Sequence, residues 1–368
     1  MIEVVGSRSA RMRWPALAGL LLASACHVRA PVTAGPSGGD ASEALPPSAF
    51  PPEPTAAPNR SPRNARVLES ILAEPGSPPT VHVVIDDPRF PPGTGPRLGI
   101  DEGHHDFHTL DGMFAPFADA ARADGFRVIA HEAPFSAESL AALDILVIAN
   151  ALHERNDHRI GGEWTLPTPS AFTDDEIAAL DAWIVAGGRL WLIADHMPFP
   201  GAAQALATRL GFGMSNGFAF AATEQGEVIP NSIQHTRDEG TIVSGHPITE
   251  GRGPSERADS VRSFTGQAFE VPDDAVVVLR MPSPAVSLVP ATAWQFDEHT
   301  PRHDVSGWPV MAAREHGRGR IVVSGEAAML SARYVEDQRG EWQPVGFQAA
   351  EAHDNLVLVL NTLRWLAG

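Results

Sequence analysis

Asp101, Glu102, His104, His105, Asp106 and His108 crowd into one turn, I-D-E-G-H-H-D-F-H-T from Ile100 to Thr109, directly after the apolar Leu98 and Ile100. Carboxylates and imidazoles bind divalent metals or move protons near neutral pH, and open α/β sheets present such groups at strand ends. His104 and His108 are four residues apart, which puts both rings on one face if a helix begins there. Metalloprotease helices use that spacing, although the glutamate of the HExxH pattern is missing here.

Two further polar groups follow apolar runs. Leu190 to Ala194 leads into Asp195-His196, and Ile321 to Gly325 leads into Glu326. If these strands are parallel neighbours, or the last is an antiparallel edge strand ending at the same rim, then Asp101, His104, His108, Asp195, His196 and Glu326 converge. On that reading His104, His108, Asp195 and His196 are candidate metal ligands, and Asp101, Glu102 and Glu326 are candidate catalytic carboxylates. A mixed nitrogen and oxygen set suits zinc, manganese or iron, and a bound metal lowers the pKa of its water toward about 7. The alternative is that Asp101 caps the following helix, His108 packs against the sheet and His105 is simply exposed. His246, in S-G-H-P-I-T, has the character of a turn residue, and His153, His158, His299 and His303 lie in polar loops. Trp164, Trp294 and Trp308 are placed either to stack on sugar rings or to pack.

Much chemistry is excluded. The 27 basic residues are all arginine, so a P-loop, a pyridoxal Schiff base and a Ser-Lys dyad have no ammonium group to use. No G-x-S-x-G elbow is present, and no G-x-G-x-x-G follows a strand, so a nucleotide cofactor is not expected. A net charge of -18 opposes nucleic acid as a partner. The one cysteine, Cys26, excludes disulfide scaffolds and Cys-rich zinc sites.

At the start of the chain, residues 1–25 have basic positions at Arg8, Arg11 and Arg13 and a short apolar run from Trp14 to Leu22. Ala23-Ser24-Ala25-Cys26 then resembles a bacterial lipoprotein cleavage site. Cys26 is the expected lipidation point, so the chain is expected in the bacterial cell envelope, exported and held to the membrane by a lipid anchor. An ordinary secretory signal with an incidental cysteine is the alternative. Residues 26–62 are Pro- and Ala-rich and read as a disordered tether. Residues 63–368 read as a single α/β domain that opens with a helix from Arg63 to Glu74. Strands are expected at Val81–Ile85, Leu98–Asp101, Phe126–His131, Ile145–Ala149 and Leu190–Ala194. Helices are expected at Leu110–Arg122, Ser136–Leu143, after the capping box Thr173 to Glu176, at Gln204–Leu210 and at Ala349–Leu366. This alternation predicts a doubly wound, mainly parallel sheet. Antiparallel additions are expected in the C-terminal half, where Val310–Arg314 and Ile321–Ser324 flank the hairpin signal Gly317-Arg318-Gly319.

The order D-E-G-H-x-x-F-H at Asp101 to His108, F-T-x-x-E-I at Phe172 to Ile177, G-G-R-L-W-L-I-A-D-H at Gly187 to His196, H-P-I-T at His246 to Thr249 and G-R-G-R-I-V-V-S-G-E-A-A-M at Gly317 to Met329 resembles a bacterial family of unknown function. That family looks like part of the class I glutamine-amidotransferase-like superfamily, and the resemblance covers most of Val81 to Gly368. It implies a flavodoxin-like sheet. Glutaminase members use a Cys-His-Glu triad, which this domain lacks because Cys26 lies in the signal region. The remaining site implies a metal-dependent hydrolase of an envelope or carbohydrate-type substrate, or a non-catalytic module that binds a small molecule, glycan or partner protein.

Overall fold

The computed structural model describes residues 63–69, 81–157, 164–229, 232–336 and 341–368. The signal-like segment, Cys26, the tether and His158 lie outside the described residues. Among the described residues no helix is long and apolar enough to cross a membrane.

The central seven-stranded sheet runs Val276–Arg280, Pro309–His316, Gly319–Ser324, Arg189–Ile193, Ile145–Ala149, Arg97–Asp101 and Arg127–His131 in spatial order. From Gly319–Ser324 onward the strands are parallel, whereas Pro309–His316 and Val276–Arg280 are antiparallel to their neighbours. The fold is therefore α/β with a mixed sheet. The continuous apolar runs arise because both faces are covered. Leu98, Ile100, Val147, Trp191, Ile193 and Val322 pack with residues of the helices Ala115–Ala123 and Asn355–Ala367. The alternating set Leu146, Ile148, Leu190, Leu192, Ile321 and Val323 packs with the helices Asp174–Val185 and Phe199–Arg209. Each such side chain contributes about 1.5–3 kcal/mol on burial.

Helix Asp174–Val185 begins where the capping box predicts: Thr173 Oγ1 accepts from Glu176 N at 3.3 Å, and Glu176 Oε2 accepts from Thr173 N at 2.9 Å. The expected helix from Arg63 to Glu74 is overturned. Ala65–Glu69 is a strand antiparallel to Val81–Ile85, because a short apolar run fits either period and the neighbouring strand supplies hydrogen-bond partners. Residues 70–74 lie outside the described residues. The hairpin at Gly317 forms, with His316 opposite Gly319. Its second strand is not an antiparallel edge but a member of the parallel set, paired with Arg189–Ile193.

Smaller elements lie beside the strand ends. A four-stranded sheet contains Phe218–Ala222, and a hairpin of Ala332–Glu336 with Trp342–Gly346 carries Arg333. Gly325 continues the strand Gly319–Ser324 into the 266–267 segment, with Gln267 N donating to Gly325 O at 2.8 Å. A Cβ at Gly325 would lie 2.3 Å from Gln267 O, so only glycine permits this approach. Behind the sheet, buried Arg364 of the last helix donates to Asp124 through Nε (2.7 Å) and a terminal nitrogen (2.6 Å), and its other terminal nitrogen lies 2.9 Å from Glu256.

Candidate functional site

The parallel register brings four strand ends to one rim. Ala149 and Ser324 both pair with Ile193, and Asp101 ends its own strand. Asn150, Asp195 and Glu326 follow close behind. The turn from Glu102 to His108 is stitched to this rim by Phe107 N donating to Asn150 O at 3.0 Å and Leu152 N donating to His104 O at 2.9 Å. The polar residues separate into two groups along it.

The first group centres on His104, which is 5% exposed. Its Nδ1 lies 2.7 Å from Asp101 Oδ2, and its Nε2 lies 3.0 Å from Glu176 Oε1. Burial works against the ring's charge, but the bonds and charges of Asp101 and Glu176 outweigh it and hold the His104 pKa above the usual value. Asp106 sits alongside. Burial, with the nearby Asp101 charge and the close approach of the two carboxyl groups, pushes the Asp106 carboxyl well above the carboxylate range. Asp106 Oδ1 accepts from Ala149 N at 3.3 Å, and its Oδ2 has no partner.

The second group is organised by Asn150, whose φ of 60° is in the left-handed region that asparagine tolerates. Its Oδ1 accepts from Asp195 N at 2.9 Å, which leaves its Nδ2 to donate to His108 Nδ1 at 3.2 Å. His108 is held neutral, its pKa taken well below the usual value by burial and by the Arg333 and His196 charges. A neutral ring that accepts at Nδ1 carries its proton on Nε2. His108 is thus a hydrogen-bond donor with no lone pair to offer. His196 has the opposite tautomer. Its Nδ1 donates to Met197 O at 2.9 Å, and its Nε2 lies 4.0 Å from Asp195 Oδ1. The ring stacks on Phe218, 4.9 Å between centroids, with Trp294 edge-on at 4.6 Å.

Asp195 and Glu326 share this group with Arg333. Burial raises the Asp195 pKa against the pull of His196, and burial followed by the Asp195 charge takes Glu326 well above the usual range. Glu326 accepts from Ala328 N at 3.0 Å and Met329 N at 2.8 Å. Burial lowers the Arg333 pKa, opposed by the charges of Asp195 and Glu326.

The four residues expected as metal ligands are therefore divided. His104 is turned to Asp101 and Glu176, and His108 has its lone pair covered by Asn150, so His104, His108, Asp195 and His196 do not form one ligand set. Among the described residues the group whose potential ligand atoms all lie within 4.8 Å is Asp101, His104 and Asp106. Glu102, expected as a catalytic carboxylate, accepts from Leu110 N at 2.7 Å and holds the turn. His105 is exposed and bonds Asp157 at 3.0 Å. His246 and His153 accept from the backbone of Ile248 and Arg155, while His299 and His303 are exposed. Asn150, Glu176 and Arg333 are site residues that the sequence reading misses. Asn150 has a signal, its place at the end of an apolar strand, and Glu176 reads only as a cap. Arg333 has none, because nothing in the residues around it marks its hairpin as reaching this rim.

No protein-family model matches the chain, and no curated protein does. Solved structures with a similar chain path include the N-terminal domain of mmIFT52, at 14% identity and TM-score 0.49, covering 73% of this chain and 96% of that one. A ThuA-like protein from Parabacteroides merdae is similar at 12% identity and TM-score 0.38, covering 74% and 90%. Another from Bacteroides uniformis is similar at 11% identity and TM-score 0.37, covering 74% and 92%.

Proposed function

We propose that the rim is a hydrolytic proton-transfer site on a doubly wound, glutamine-amidotransferase-like frame, acting on a polar envelope or carbohydrate-type molecule. His196 Nε2 takes a proton from the attacking water. Glu326 is the acid that returns one to the leaving group, and the His108 Nε2–H and the Arg333 guanidinium hold the oxygen on which charge develops. Trp294 offers a face for an apolar or sugar-ring surface. The observation that carries this reading is the pairing around Asp195: a histidine whose Nδ1 is fixed by Met197 O and whose Nε2 lies 4.0 Å from Asp195, beside a buried carboxyl, Glu326, that burial and the Asp195 charge push well above the carboxylate range. In the same proposal Cys26 carries the lipid and residues 26–62 hold the domain off the membrane.

The test is turnover of chromogenic glycosides and esters by the purified full chain, compared with His196→Gln and Glu326→Gln. Either change lowers kcat by about 100-fold or more if the groups transfer protons. Equal background rates for all three proteins with every substrate class overturn the enzymatic reading. A second reading, a ligand-binding or assembly module, is favoured by the two backbone N–H groups that fix both Glu326 oxygens. It predicts saturable glycan or small-molecule binding without turnover.

A further inference from the structure

The first polar group, which the proposed reaction does not use, has an arrangement of its own. Asp101 is fully buried, and His104 and Asp106 are 5% and 6% exposed, with one potential ligand atom from each lying within 4.8 Å of the others. The Asp101 and Asp106 carboxyl groups approach within hydrogen-bond reach of each other, and neither brings a donor of its own when ionised. Asp106 Oδ2 is buried without a partner, as is Nε2 of His131, which stands in register beside Asp101 on the next strand. Buried polar atoms are normally satisfied, so two orphans around Asp101 ask for a missing partner. Glu176 adds the orientation: it accepts from His104 Nε2 at 3.0 Å, leaving Nδ1 turned toward Asp101. A carboxylate behind the far nitrogen is the usual support of a metal-bound imidazole.

We propose that Asp101, His104 and Asp106 bind one first-row divalent cation, of the zinc or manganese class, that pins the turn carrying His108 to the sheet. An imidazole nitrogen among two carboxylates favours these ions over magnesium or calcium, which take all-oxygen sets. The site is independent of the proposed hydrolysis and is tested without it.

The experiment is to strip the full chain with chelator, add zinc or manganese chloride with magnesium and calcium chloride as controls, and measure bound metal and melting temperature. The wild type takes up one equivalent of zinc or manganese and its melting temperature rises by about 5 °C. Asp106→Asn loses at least tenfold in affinity and the thermal response, while a chelator-stripped sample remains folded. The competing explanation is a proton shared between Asp101 and Asp106. The amide introduced by Asp106→Asn would supply that hydrogen permanently, so the variant would then match or exceed the wild type in melting temperature, with no metal response in either protein. That outcome, or uptake unchanged by Asp106→Asn, overturns the proposal.

Discussion

Asn150 Nδ2 donates to His108 Nδ1 at 3.2 Å, and this one bond determines which nitrogen of His108 carries the proton. The amide cannot turn over, because its oxygen is committed to Asp195 N at 2.9 Å. Replacing Asn150 with Ala removes both bonds and frees the tautomer. We expect a loss of about 1–3 kcal/mol, from two buried groups left unpaired. Imidazole nitrogen NMR checks the chemistry directly: the wild type shows His108 as the Nε2–H form, and Asn150→Ala shows a mixture.

The Arg364 pair with Asp124 is buried on both sides, and Glu256 lies on the same guanidinium. Arg364→Met leaves the buried Asp124 carboxylate without its cation, while Glu256 keeps Arg252. Breaking a buried ion pair from one side costs about 3–5 kcal/mol. The denaturant midpoint falls accordingly, whereas a midpoint within experimental error of the wild type contradicts the buried network.

His235 is fully buried, with Nδ1 3.2 Å from Arg280 O and Nε2 2.9 Å from Ser263 Oγ. Burial lowers its pKa from 6.5 to about 4. Between those values the unfolded chain binds a proton that the folded chain does not, so this residue's contribution is complete above pH 6.5 and is lost as pH falls toward 4. The loss approaches about 3 kcal/mol. His235→Gln keeps a polar side chain but removes the titration, so its urea midpoint changes less with pH over this window than that of the wild type.

Gly325→Ala places a methyl group 2.3 Å from Gln267 O. Both segments are backbone held by the sheet, so one must move. The expected cost is about 1–3 kcal/mol. If Glu326 acts as the acid, turnover falls as well, since its backbone shifts with Gly325. Unchanged melting and unchanged rates would show that the segments separate freely.

The central strands are legible in the sequence because continuous apolar runs in α/β proteins have few other uses, and Ile145–Ala149 matches residue for residue. The convergence of Asp195 and Glu326 follows from strand order and is legible as a condition. The grouping within the rim is not. Glu176 reads as a local cap, and its Oε2 is one, yet its Oε1 reaches His104, 72 residues away. Tautomers are beyond the sequence too, because they depend on which way the Asn150 amide faces. The strand Ala65–Glu69 reads as helix when its periodicity is taken without its partner.

Arg364 also has a consequence in time. Its Asp124 partner is 240 residues earlier in the chain, and Glu256 lies between them. A ribosome that has made the whole rim still holds the helix that closes the back of the sheet. Until helix Asn355–Ala367 emerges, Asp124 and Glu256 have no counter-charge from it, and the apolar face beneath it is uncovered. The rim is therefore synthesised before the back of the sheet can close, and that apolar face stays open until the helix has left the ribosome.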